Sequence, residues 1–107
     1  MEHRQSPRKK IDARVTLTTR SGLLGSARII DVSATGGRLD TELPLQVDSM
    51  IAVTLTARAA RHPSRFKCDA QVVRHSNDGF GIEWMQFAPE LLRTLYDHGP
   101  EVASLPG

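Results

Sequence analysis

Two spacings in the chain bring together residue types that could hold a charged ligand. Arg4-Gln5-Ser6-Pro7-Arg8 is an Arg-x-x-x-Arg, and Asp31-Val32-Ser33-Ala34-Thr35-Gly36 is an Asp-x-Ser-x-x-Gly. Guanidinium groups bind phosphate, pair bidentately with the O6 and N7 acceptors of guanine, and stack on flat bases. A carboxylate accepts from the ring and exocyclic N–H donors of guanine, and a neighbouring hydroxyl adds one more contact. The complement of two arginines, an aspartate and a serine is therefore a guanine nucleotide carrying several phosphates. No residue in the set is poised to break a bond, so the chemistry is binding, and no enzyme activity is expected. Read alone, Asp31 and Ser33 have a plainer alternative, an Asx or Ser turn that satisfies its own backbone.

The elements that must position these residues are legible as alternations. Val15, Leu17 and Thr19 alternate with Arg14, Thr16 and Thr18, the period of two of a half-buried strand. Further strands are predicted at Gly25 to Asp31, Arg38 to Thr41, Met50 to Ala57, from Phe66 through Val73, and Phe80 to Phe87. A polar connection is expected at 58–65. Asn77-Asp78-Gly79 has the chemistry of a tight hairpin, its Asp-Gly supplying positive φ angles. Six short strands with no helix between them argue for an antiparallel barrel or sandwich, and closure would hide the edges. Pro89 suits a first helical turn, and Leu91, Leu92, Leu95 and Tyr96 form one apolar stripe ahead of Gly99-Pro100. Asp31 and Ser33, two apart at a strand end, are expected on one face of the sheet, with Gly36 letting the backbone turn beside them.

The chain has 107 residues and a formal net charge of +2. The charge is uneven: residues 1–20 hold six basic and two acidic groups, the remainder eight basic and ten acidic. The expected organisation is a basic arm at 1–13, a barrel with its helix at 14–99, and a tail at 100–107. An anionic partner suits the arm. The single cysteine, Cys68, cannot form an internal disulfide, and it shares a face with Phe66 and Ala70 as a small buried side chain. His3, His62, His75 and His98 are scattered without metal-ligand spacing, so neither a metal nor a cofactor is expected. Gly22-Leu23-Leu24-Gly25-Ser26 lacks the lysine and glycine spacing of a phosphate loop and reads as a hairpin turn. Trp84 is in phase with Phe80 and Ile82 and is expected in the core or against the helix. No eighteen-residue apolar run occurs and no signal peptide is legible, so a cytoplasmic protein without membrane insertion is expected.

In the Arg4/Arg8 and Asp31/Ser33/Gly36 motifs, and in Gly79-Phe80-Gly81-Ile82-Glu83-Trp84 followed by an apolar helix, the sequence resembles the PilZ domain family, bacterial receptors of cyclic di-GMP. The resemblance covers nearly the whole chain and implies a six-stranded antiparallel β-barrel with a C-terminal helix. It also implies that Arg4 and Arg8 take the phosphates and guanine Hoogsteen edges. Asp31 and Ser33 would hold a guanine base and Gly36 would shape the turn. The arm would fold across the barrel on binding and relay the signal to a protein partner. His3, beside the first arginine, is where members vary and bears on whether one or two stacked ligands bind. Two other classes stay open: an interaction module of the same fold that binds no nucleotide, working with pilus or flagellar machinery, and a small nucleic-acid-binding barrel. The last is disfavoured because aromatics at stacking spacing are lacking.

Overall fold

The structure, a computed structural model, describes residues 8–59, 62–87 and 89–98. Six strands are followed by one helix: β1 Lys9–Thr19, β2 Leu24–Val32, β3 Gly36–Asp40, β4 Met50–Ala59, β5 His62–Ser76, β6 Gly79–Trp84 and α1 Glu90–His98. The strands close into a barrel in the order β1-β2-β3-β6-β5-β4, every pairing antiparallel. The expected six-stranded antiparallel barrel with a C-terminal helix is thus the observed fold.

The alternation predicts which side of each strand faces the lumen. Ala13, Val15 and Leu17 of β1, Ala27 and Ile29 of β2, Val53 and Leu55 of β4, Cys68, Ala70 and Val72 of β5, and Phe80, Ile82 and Trp84 of β6 meet there as the core. Leu91, Leu92 and Leu95, one stripe of α1, join them as the helix packs against β5, β1 and β4. Leu95 is fully buried, so its truncation to alanine leaves a cavity costing about 2–5 kcal/mol. The side chain of Tyr96, and residues 1–7 and 99–107, lie outside the described residues.

Boundaries differ from the sequence reading for identifiable reasons. β1 opens at Lys9, ahead of the expected Arg14: Ile11 and Ala13 are buried in phase with Val15 and Leu17, so the alternation already runs through residues expected in the arm, and only the register against β2 shifts, between Lys10 and Ala13. β4 and β5 continue pairing as far as Ala59 and His62, so most of the expected polar connection at 58–65 is strand. At the β5–β6 hairpin, Ser76 pairs with Gly79 and the turn is Asn77-Asp78, with positive φ at Gly79 (+117°) but at neither Asn77 nor Asp78. β6 ends at Trp84, short of the expected Phe87.

Candidate functional site

The C-terminal end of β2 carries the site, and a bulge shapes it. Ile29 pairs with Leu39 and Asp31 with Arg38, so two steps along β2 match one along β3, with Ile30 the extra residue. The extra residue resets the phase: Val32 fills the lumen at 0% exposure, while Asp31 falls on the outer wall with its paired neighbours. Those neighbours form one row across five strands, Lys10, Asp31, Arg38, Gly81 and Arg74, each paired with the next. A second irregularity, between Val72 and Arg74 on β5, brings Arg74 opposite Gly81.

Asp31 is only 6% exposed although it lies on the outer wall, because two guanidinium groups cover it. Arg8 Nη2 stands 3.3 Å from Asp31 Oδ1, and Arg38 Nη2 stands 3.1 Å from Oδ2. The Arg8 contact is an ion pair without hydrogen-bond geometry, since Oδ1 is buried and has no hydrogen-bond partner among the described residues. The same holds for Arg38 Nε, so Arg38 meets the carboxylate end-on through Nη2. Arg38 Nη1 also reaches Asp78 Oδ2, at 3.4 Å, on the β5–β6 hairpin. A buried carboxylate needs such charged partners, because removing it from water is otherwise expensive.

Ser33 lies just beyond β2, in the turn to β3. Its amide donates to Gly36 O at 2.8 Å, its Oγ accepts from the Thr35 amide at 3.3 Å, and Oγ lies 3.2 Å from Thr35 Oγ1. Trp84 Nε1 donates to Ser33 O at 3.1 Å, which fastens this turn to β6. Gly36 opens β3, and its role is clearance rather than an unusual φ: a Cβ there would stand 2.1 Å from Ile82 O of β6. Gly37 is similarly close to Asp31 O, at 2.8 Å.

Above these glycines lies a cleft of about 170 Å³, with Arg8, Ser33, Thr35 and Gly36 on one side and Arg74 and Glu83 on the other. Gly81 forms part of its floor and makes room for the Arg74 guanidinium, whose Nη2 would stand 3.0 Å from a Cβ there. Asp31 is not in the lining, because Arg8 lies over it. Two larger grooves, of about 250 and 400 Å³, adjoin the β1–β2 hairpin, but neither gathers several charged groups.

The fold therefore brings Arg8, Asp31, Ser33 and Gly36 into one place, while Arg4 lies outside the described residues. The sequence reading did not include Arg38, Arg74 or Glu83. Their places follow from strand pairing and the bulges, and the only local signal was an outward-phased arginine directly after Gly36-Gly37. No cluster of three or more His, Cys, Asp or Glu fit for a metal occurs among the described residues. Cys68 is buried, its thiol is pushed up by burial, and it leans on Asp69 O at 3.2 Å, the setting of a packed side chain and not of a nucleophile.

The sequence profile of the PilZ domain matches residues 2–98. This chain belongs to the PilZ domain family. Solved structures carry the same fold. The Bacillus subtilis inhibitor of motility (MotI/DgrA) superposes with a TM-score of 0.66 at 15% identity, covering 92% of this chain and 50% of that one, so the PilZ domain here spans half the length of that protein. The PilZ domain of CeSA from a cellulose-synthesising bacterium gives 0.64 at 14% identity over 87% of this chain and 93% of that one. No curated protein matches the sequence closely enough to count as a relative. PilZ domains are binding and adaptor modules, not enzymes. Among the described residues no helix is long and apolar enough to cross a membrane.

Proposed function

We propose that this PilZ domain binds cyclic di-GMP on the outer wall of its barrel and relays the signal to a protein partner. The observation that carries the reading is the meeting of two motifs distant in sequence. Arg8 of the Arg-x-x-x-Arg touches Asp31 of the Asp-x-Ser-x-x-Gly, beside a cleft edged by Ser33, Gly36 and Arg74. Cations, an anion and a hydroxyl around a glycine floor match a ligand with phosphates and donor-bearing bases. Arg8 stands one residue before β1 and lines the cleft, and Arg4 is its partner in the motif. Arg8 would exchange Asp31 for ligand phosphate or base, and the arm would follow it across the wall to make a surface that a partner reads. No cofactor or metal takes part in this scheme.

The test is a calorimetric titration of the chain with cyclic di-GMP at physiological salt, beside cyclic di-AMP and GTP. Selective binding of the first at one or two ligands per chain is expected, lost in Arg4→Ala with the melting temperature nearly unchanged, and lost in Arg8→Ala with a modest fall in melting temperature, since Arg8 also covers the Asp31 carboxylate that Arg38 still holds. Silence with all three would overturn the reading and favour an interaction module that takes no nucleotide.

A further inference from the structure

Among the described residues, two buried side-chain polar atoms lack hydrogen-bond partners, and both belong to one ion pair. Asp31 Oδ1 is an acceptor, Arg38 Nε is a donor, and the pair is held by Arg38 Nη2 on Oδ2 at 3.1 Å. The two arginines on Asp31 differ in how they are anchored. Arg8 precedes β1, one residue outside the pair formed by Lys9 and Val32. Arg38 is inside β3, paired with Asp31 on one side and Gly81 on the other, and its Nη1 also meets Asp78. A ligand that draws Arg8 away therefore uncovers Oδ1 and leaves Arg38 in place on Oδ2.

We propose that Arg38 is the positioning residue for base selectivity: it takes one lone pair of Asp31 Oδ2 and so fixes the carboxylate with Oδ1 and the second lone pair of Oδ2 facing the ligand. This rests on the nucleotide-binding reading above. A carboxylate so fixed accepts from two adjacent donors, a ring N–H and an exocyclic amine, and that pair of donors occurs on guanine. Hypoxanthine offers the ring N–H alone, and adenine offers its amine beside an acceptor. A carboxylate free to rotate still accepts one hydrogen bond but loses the advantage of the second. Arg38 thus acts through Asp31 and sets the preference for guanine, while the cations nearer the arm supply affinity for phosphate.

The experiment is calorimetry of the wild-type chain, R38Q and R38K, each with cyclic di-GMP and with its inosine counterpart, which lacks only the exocyclic amines. In R38Q the affinity for the guanine ligand should fall roughly ten- to hundredfold, the range set by one charge-assisted hydrogen bond, and that for the inosine ligand much less. The ratio of the two then approaches one, and R38K, which restores a cation at the same strand position, should recover part of it. A proportional loss of both ligands in R38Q would mean that Arg38 contacts a feature they share, and would overturn the positioning role. So would a guanine-to-hypoxanthine ratio equal to that of the wild type. A wild-type chain that binds neither ligand would overturn the receptor reading itself, and the role of Arg38 with it.

Discussion

Replacing Gly36 with alanine separates a fold requirement from a ligand requirement within the motif. A Cβ at this position would sit 2.1 Å from Ile82 O, where ordinary contact begins at 3.4 Å. The obstacle is the backbone of the adjacent strand, so no rotamer change relieves it, and β3 must part from β6 by more than an ångström. That displacement strains a ladder running from Gly36 and Glu83 to Leu39 and Phe80. It also disturbs the bond from Trp84 N to Thr35 O at 3.0 Å. Overpacking of this kind costs about 1–3 kcal/mol, and with backbone as the obstacle the upper end applies. The melting temperature should fall by roughly 10–20 °C on that basis. Far-UV circular dichroism on the unliganded proteins measures it, with Gly22→Ala as control. Gly22 has φ +92° and nothing within 4 Å, so the control carries only left-handed strain, about 1–2 kcal/mol. A Gly36→Ala protein that melts within about 3 °C of wild type would refute the close-approach argument and make Gly36 a residue kept for the ligand.

Two other perturbations probe separate parts of the barrel. Trp84→Phe keeps an aromatic in the core but leaves Ser33 O without its 3.1 Å donor, so it should cost about 1–3 kcal/mol and speed amide exchange in the β2–β3 turn. Unchanged stability and exchange would show that the indole bond does not hold the turn. The exposed pair of Asp12 with Arg28 Nε and Nη2, at 2.8 and 2.7 Å, lowers the Asp12 pKa chiefly through the hydrogen bonds from Arg28. A carboxylate lowered on folding stabilises the fold above its unfolded value and ceases to do so as pH falls through its folded one. Asp12→Asn should therefore melt slightly below wild type near pH 7, with the gap closing as pH falls below the ordinary aspartate range or in high salt. A gap that persists in acid would assign it to something other than this pair.

The strands were legible where alternation runs uninterrupted, as through Val15 and Leu17 or through Phe66, Cys68 and Ala70, because inward and outward positions follow directly from the pleat. Ile11 and Ala13, read as arm, continue the alternation of Val15 and Leu17, whereas Asp31, Val32 and Ser33, buried in succession at the β2 bulge and the turn after it, fit no period of two. Spacing groups Asp31, Ser33 and Gly36 by themselves, and Arg8 was joined to them by complementary ligand chemistry and by the resemblance to the PilZ family, since no short-range order links the two motifs. Arg38 could not be recognised as the partner of Asp31, since that contact depends on the β2–β3 register. Arg74 reaches the cleft only after two further pairings, through Gly81. Gly79 was read as hairpin geometry and it has the positive φ, while a Cβ there would also meet Leu39 O; Gly81 clears the place where Arg74 lies, which only the pairing shows.

The bulge at Ile30 turns Asp31 onto the outer wall while Val32 beside it still fills the lumen, and this separation of wall from interior bears on how such a protein can change over generations. Arg8, Arg38 and Arg74 contribute nothing to the lumen, so substitutions there change the outer wall while the aliphatic interior persists. On the proposed reading, a lineage can lose nucleotide affinity, regain it, or shift its preferred base through single replacements on the wall, and the fold does not have to be reinvented at any step.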